Sequence, residues 1–292
     1  MVITPARDEA RHLPAVVSAM AAQLRLPDLW LIVDDGSTDG TADVARELVA
    51  GLAWAKVLDA PQAERGAREE ADRLALAKEA RAFNWALTHV GMDWDIAAKL
   101  DADIVLRPDH YERLEREMDA DARLGIAGCF LEQERPDGSL ELARMPESHV
   151  NGALKTYRRA CFEAIGGMEE RLAWDTIDET RARMLGWRTH SFRDLCARHL
   201  RPSGSAQGVL HGRARHGACA WIAHAPVWLV LARSARLFAA RPPILSGTAF
   251  FGGWVVAGLR RTAREPDPAF RAFVRQESRQ RLRTSLARLG AR

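Results

Sequence analysis

At 292 residues, 47% of them apolar, the chain has the composition of an ordinary globular protein and the length of one large domain or a domain with an appendage. Its net charge of +3 hides an asymmetry: residues 1–200 carry −10, whereas residues 201–292 hold 16 Arg, no Lys and only Glu265, Asp267 and Glu277, a net of +13. The four cysteines, Cys129, Cys161, Cys196 and Cys219, form no C-x-x-C pair, so neither a zinc site nor a redox pair is signalled, and no basic stretch followed by an apolar core suggests a secretory leader.

Residues 1–4 read as a short strand, Pro5 to Glu9 as a loop, and residues 10–24 as a helix with Leu13, Val16, Val17, Met20 and Leu24 at helical spacing. Leu29 to Val33 is a buried strand. It runs into Asp34-Asp35-Gly36-Ser37-Thr38-Asp39-Gly40, a tight turn that leads into a helix over 41–49. This β-α-β-α opening implies a parallel sheet covered by helices, with ligands at the carboxyl ends of the strands. A polar loop over 59–71 and a helix over 74–89, carrying Lys78 and Asn84, come next.

Trp94 to Leu100 then reads as a strand ending in Asp101-Ala102-Asp103, with Ile104-Val105-Leu106 continuing beyond. In extended backbone, residues i and i+2 face the same side, so Asp101 and Asp103 converge if the strand runs on. Such close like charges suit a hard divalent cation, Mg²⁺ or Mn²⁺, with open positions for phosphate. They also suit a plain polar strand end. Further on, the pattern predicts a helix over 108–122 and a hairpin of 124–132 with 139–143 around Pro136-Asp137-Gly138. It then predicts a strand over 150–157, a short helix to Ile165, a helix over 174–185 and a last strand over 187–192.

Taken in order, several of these segments resemble family 2 glycosyltransferases of the GT-A fold. They are Ile3-Thr4-Pro5-Ala6-Arg7-Asp8-Glu9, Val33-Asp34-Asp35-Gly36-Ser37-Thr38-Asp39-Gly40-Thr41, Lys78 with Ala82 to Asn84, Leu100-Asp101-Ala102-Asp103, and Tyr157-Arg158-Arg159 leading to Gly166-Gly167. Trp174-Asp175 with Arg181 and Gly186-Trp187-Arg188 completes the set. The resemblance covers about residues 1–200. It implies an α/β fold, a mostly parallel Rossmann-like sheet, for a GT-A domain over 1–200. Residues 201–292 would form a helical, basic appendage.

The resemblance also implies roles. Pro5, Arg7, Glu9, Asp34, Asp35, Lys78 and Asp101 would hold the donor nucleotide. Asp103, with Asp101 and His199, would hold the divalent metal. Asp175 aligns with the catalytic base, with Asp178 and Glu179 in reserve, and Trp174 stands where the family usually has Glu. The implied reaction is metal-dependent, inverting transfer of one sugar from a nucleotide-diphosphate sugar, UDP-sugar favoured, to a hydroxyl. The family's Q-x-x-R-W string of processive synthases does not occur.

In residues 201–292, the segment 208–217 is basic, 218–232 and 244–259 are apolar runs of 15 and 16 residues, and 270–289 reads as a basic amphipathic helix. Both runs fall short of the roughly 20 residues a spanning helix needs. Short apolar runs bearing Trp228 and Trp254, flanked by Arg233, Arg236, Arg260 and Arg261, suit an interfacial segment on the cytoplasmic face of a membrane. The expected partners are therefore a nucleotide-sugar donor, a lipid or lipid-linked acceptor, and a membrane surface. Two ordinary core helices are the other reading. A sugar nucleotidyltransferase would need a glycine-rich loop where Pro5 to Glu9 stands, and a scaffold with a decayed site would not need the intact acidic set. A nucleic-acid binder would leave residues 1–103 unexplained, so no nucleic acid is expected.

Overall fold

In the computed structural model, the described residues are 1–61, 77–89, 91–134, 138–201, 208–240 and 242–290, with side chains up to 284. The chain divides into two compact units, Met1–Pro202 and Ser203–Arg292.

The first unit is built on one curled sheet of nine strands. In chain order these are β1 (Val2–Ala6), β2 (Trp30–Asp34), β3 (Ala55–Asp59), β4 (Ile96–Leu100), β5 (Ile104–Val105), β6 (Leu124–Glu134), β7 (Leu140–Leu142), β8 (Leu154–Arg158) and β9 (Arg188–His199). The spatial order is β3-β2-β1-β4-β8-β6-β9-β5, with β7 on β6. Strands β1 to β4 are mutually parallel; β8 then runs antiparallel to β4 and β6, and β9 parallel to β6. Strand β2 is buried along its whole length, as expected for an apolar run covered on both faces. Helices α1 (Leu13–Ala21), α2 (Thr41–Val49), α3 (Lys78–His89), α4 (His110–Ala120), α5 (Arg159–Ala164) and α6 (Trp174–Met184) cover it. One core cluster packs Leu13, Val16 and Met20 against Trp30, Ile32 and Leu100; the other packs Phe83 and Trp174 against Ile3, Leu31 and Tyr157.

Three local expectations change. Asp101 and Asp103 do not share an extended strand. Residues 101–103 form a turn, closed by the Ile104 N–H donating to Asp101 O at 3.2 Å, and β5 leaves to pair with β9. The last strand is longer than the apolar run suggests, reaching His199, because its far end pairs with β5 and β6. Pro5 belongs to β1, not to a loop. The expected polar loop over 59–71 lies mostly outside the described residues, as do the start of the predicted 74–89 helix and the Pro136-Asp137 turn.

The second unit holds α7 (Val209–Ile222), α8 (Val227–Leu237), α9 (Leu245–Leu259) and α10 (Pro268–Gly290). Helices α7 and α9 meet backbone to backbone: a Cβ on Gly217 would lie 1.9 Å from Phe250 O, and one on Gly253 1.9 Å from Ala214 O. The first apolar run is thus split between two helices at Ala223–Pro226. Among the described residues no helix is long and apolar enough to cross a membrane.

Candidate active site

The strand order turns back on either side of β1, which has β2 on one flank and β4 on the other. A crevice opens at the carboxyl ends of strands at such a point. Three chain segments deliver carboxylates there. Asp34 ends β2, buried, and its Oδ2 accepts from the N–H groups of Gly36 and Ser37 at 2.9 and 3.1 Å. That bond pair builds the turn, and it leaves Asp34 Oδ1 buried without a hydrogen-bond partner among the described residues. Arg7 follows β1 and donates from Nη1 to Asp35 O at 2.9 Å, tying the two turns together. Glu9 is buried beside them: its N–H donates to Thr41 Oγ1 at 2.8 Å, and its Oε2 lies 2.7 Å from His12 Nδ1. Burial outweighs those contacts and raises the Glu9 carboxyl above its ordinary range. Lys78 is half-buried in the first turn of α3.

The turn after β4 sends its two aspartates to different partners. Asp101, with about a third of its side chain exposed, receives the ammonium of buried Lys99, which also donates to Gly152 O at 2.8 Å. Asp103 is buried. Its Oδ2 lies 3.2 Å from His199 Nε2 and accepts from Arg201 Nε and Nη2 at 3.1 and 3.0 Å. Burial alone would raise the Asp103 carboxyl, but His199 and Arg201 overcome it and hold the group below its ordinary range. The β5–β9 ladder makes this possible. Ile104 faces His199, and Leu200 N–H donates to Asp103 O at 2.9 Å, so the end of β9 is laid along the aspartate turn. Arg201 also reaches Glu9 Oε1, joining β9 to the loop after β1.

One carboxylate oxygen and one imidazole nitrogen 3.2 Å apart fit neighbouring positions on a Mg²⁺ or Mn²⁺ ion, where ~2.1 Å bonds put ligands about 3 Å apart. Asp101, turned to Lys99, does not join them. Among the described residues, no group of three His, Cys, Asp or Glu converges on one point. Asp103 and His199 are thus the pair whose chemistry suits a divalent ion, with the remaining positions left to other ligands.

Helix α6 separates its three carboxylates. Asp175 is half-buried in the first turn, and its side chain makes no hydrogen bond or ion pair among the described residues. It flanks Gly152, where an added Cβ would lie 3.3 Å from Asp175 Cβ and from Trp174 Cζ2. Gly152, Lys99 and Asp101 therefore form a short physical path between Asp175 and the aspartate turn. Asp178 and Glu179 are buried instead. Asp178 takes Lys155 Nζ on both oxygens, at 2.8 and 2.9 Å, and the Tyr157 hydroxyl at 2.5 Å. Glu179 accepts from Val150 N–H at 2.7 Å and lies 3.3 Å from Lys155 Nζ and 3.1 Å from His149 Nδ1. Burial would raise the Glu179 carboxyl, but Lys155 and His149 pull it below its ordinary range. Burial outweighs Lys155 and raises the Asp178 carboxyl above its ordinary range, but its oxygens, like those of Glu179, are buried and occupied, which leaves neither open to an incoming group.

Trp174, in the position that usually carries Glu in the resemblance, packs its ring over Lys99 and Lys155, whose ammonium nitrogens lie 5.5 and 5.4 Å from its centroid. Its indole N–H donates to Glu79 Oε1 at 3.1 Å. Sequence reasoning missed Lys99, Lys155, Glu79 and Arg201. For the two lysines a signal exists: each is a cation inside a strand, Lys99 among Ile96, Ala97, Ala98 and Leu100 and Lys155 between Leu154 and Thr156, at a position whose neighbours are buried. Arg201 carries no such mark among 16 arginines in the basic segment.

Three comparisons bear on this site. No curated protein sequence matches the chain. Among solved structures, the chain is similar to the mannosyltransferase PcManGT from Pyrobaculum calidifontis, solved in complex with GDP-Man and Mn²⁺. The TM-score is 0.57 and the identity 20%, over 96% of this chain and 79% of that one. It is similar as well to residues 1–349 of S. aureus TarS in complex with UDP-GlcNAc, with a TM-score of 0.54 and 13% identity over 89% and 72% of the two chains. At such identities the likeness shows the fold, which is GT-A. Residues 1–168 match the description of glycosyl transferase family 2, a span that takes in β1 to β8 and the aspartate turn and stops short of Asp175, His199 and Arg201. With the matched span covering more than half its length, the chain belongs to glycosyl transferase family 2 and is a glycosyltransferase.

Proposed function

We propose that the protein is a metal-assisted, inverting glycosyltransferase. It moves one sugar from a nucleotide-diphosphate sugar to a hydroxyl of a lipid or lipid-linked acceptor. The observation that carries this reading is the Asp175 carboxylate, which at the start of α6 makes no hydrogen bond or ion pair among the described residues, while its two neighbours on the same helix are locked in ion pairs. A scaffold with a decayed site has no need of a carboxylate kept open beside its acidic crevice.

In the proposed reaction the acceptor oxygen attacks the anomeric carbon. The bond from that carbon to the phosphate oxygen breaks, and the diphosphate leaves with the electron pair. Asp175 receives the acceptor's proton as general base. Inversion needs no covalent intermediate, so one base suffices. Asp34 Oδ1, a buried acceptor without a partner, suits an N–H or O–H of the nucleotide. Pro5, Arg7, Glu9, Asp35, Lys78 and Asp101 would line the rest of the donor pocket. Asp103 and His199 would hold Mg²⁺ or Mn²⁺, which when bound supplies positive charge against the departing diphosphate. The neighbours solved with GDP-Man and with UDP-GlcNAc support a nucleotide-sugar donor and leave both nucleotides in play.

The lipid acceptor rests on the second unit, which we read as peripheral on the inner face of a membrane. Along α8 and just beyond it, Val227, Trp228, Leu231, Phe238, Ile244 and Leu245 are exposed, in a segment whose charge is strongly positive. Exposed apolar side chains beside arginines suit an anionic lipid surface.

Calorimetric titration of UDP and GDP, with and without Mn²⁺, tests the donor site. Metal-dependent binding that Asp103→Ala abolishes supports it, and folded protein that binds neither nucleotide overturns it. Co-sedimentation with phosphatidylglycerol vesicles tests the docking: binding that falls as salt rises supports it, and protein left in the supernatant at low salt overturns it.

A further inference from the structure

The oxygen of Asp103 that faces His199 is already engaged by a cation of the chain itself. Arg201 lays a two-nitrogen fork on Asp103 Oδ2 and extends Nη2 to Glu9 Oε1. A guanidinium fork on that oxygen and a divalent ion on the same oxygen compete, because both are cations and repel at that distance. Arg201 keeps 38% of its side chain exposed, whereas Asp103 and Glu9 are buried. The fork is therefore the movable member of the cluster, and the carboxylates are the fixed ones.

We propose that Arg201 is an exchangeable internal cation of the donor site. It neutralises Asp103 and Glu9 when the site is empty, and it transfers to the donor diphosphate when the nucleotide binds, which frees Asp103 for the divalent ion. The inference rests on the donor-site reading above and adds a residue and an order to it. The charge count gives the motive. Two buried carboxylates and one guanidinium leave a single negative charge, a weak attraction for a divalent ion that must also displace the fork. An incoming diphosphate brings at least two negative charges and paired oxygens that a guanidinium fork matches bidentately. Moving Arg201 from carboxylate to diphosphate exposes Asp103 at the moment a counter-ion is needed. Nucleotide and metal thus favour one another's binding, and by linkage the favour is mutual.

The consequence is a pair of opposite effects in one variant. In Arg201→Gln, Mn²⁺ without nucleotide meets Asp103 and His199 without the guanidinium fork and binds at least about fivefold tighter, a factor set by losing a competing ion pair worth roughly 1 kcal/mol. The same variant loses its diphosphate cation, so UDP or GDP, whichever the wild type binds, is held several-fold more weakly in the presence of a chelator. A merely damaged fold would weaken both. Arg201→Lys, which keeps a charge but not the fork, falls between wild type and Arg201→Gln in both assays.

Mn²⁺ binding is read from the loss of the free-ion electron paramagnetic resonance signal, and nucleotide binding by calorimetry. Tighter Mn²⁺ together with weaker nucleotide supports the exchange; any other combination, including unchanged Mn²⁺ affinity, overturns it. A wild type that binds neither UDP nor GDP even with Mn²⁺ would instead strike the donor-site reading, so the two failures are distinct.

Discussion

Under α6, Lys155 sits between Asp178 and Glu179; at the carboxyl edge of the sheet, Arg201 sits between Asp103 and Glu9. In each cluster two carboxylates share one cation, yet the two cations differ in their exposure to solvent. Lys155 is fully buried and its partners are fixed by further bonds from Tyr157, Val150 and His149, whereas more than a third of Arg201 is open. Buried ion pairs are costly to break because the survivor is left charged in a poor solvent. A partly exposed pair can be traded, because water covers the transition. The first cluster therefore reads as architecture, and the second as a site that changes partners.

The sharpest way to break that comparison is at α6, where both situations occur within one turn. Asp175→Asn is expected to lower sugar transfer by about 10²–10⁴-fold, the usual contribution of a general base, with nucleotide affinity and unfolding midpoint unchanged. Asp178→Asn, one turn on, is expected to lower the unfolding midpoint. Steady-state turnover and chemical denaturation of both variants decide it. A fully active Asp175→Asn removes the base assignment.

A second test compares the two buried lysines. Lys155→Met leaves Asp178 and Glu179 without their shared cation and should cost about 3–5 kcal/mol in urea unfolding. Lys99→Met leaves the Gly152 carbonyl and Asp101, a carboxylate that already meets solvent, and should cost less, about 1–3 kcal/mol. Equal costs would show that exposure of the surviving carboxylate does not set the difference.

The smallest expected effect is a pH dependence. Burial disfavours charge on His149, but Glu179 outweighs it and raises the imidazole above its ordinary 6.5. With the folded value raised, the stability His149 contributes is present in full below pH 6.5 and fades as pH climbs through the raised value. Glu179 works in the other direction: its lowered carboxyl contributes above the ordinary 4.5 and is lost only as pH falls below it. His149→Gln should therefore flatten the loss of stability as pH climbs above 6.5 and leave the acid limb in place. Denaturation midpoints across that range measure it.

Much of the fold was legible in the residues. Apolar runs such as Trp30 to Val33, alternating with helical spacing over 13–20 and 41–49, imply a covered parallel sheet, and that sheet is present. The candidate site was legible as a set of motifs in order, because each turn is built from local chemistry: Asp34 bonds the next two N–H groups of its own turn. The apolar pattern of the last strand ends at 192, because Arg193 and Asp194 are both exposed and interrupt the alternation, and only pairing with β5 and β6 beyond that irregularity carries the strand to His199.

What the sequence by itself determined is the order of strands, turns and helices and the acidic residues that follow β1, β2 and β4, since periodicity and turn chemistry act over a few neighbours. The tertiary structure alone decided which of those charges are spent and which are open. Asp101 and Asp103 part company because residues 101–103 turn and β5 seeks β9. Among the described residues Asp175 stays unpaired while Asp178 and Glu179 close on Lys155, and Arg201, 98 residues from Asp103, reaches it through the β5–β9 ladder. The state of a carboxylate depends on burial and on the nearest cation, and both are set by contacts between distant segments that no local pattern encodes.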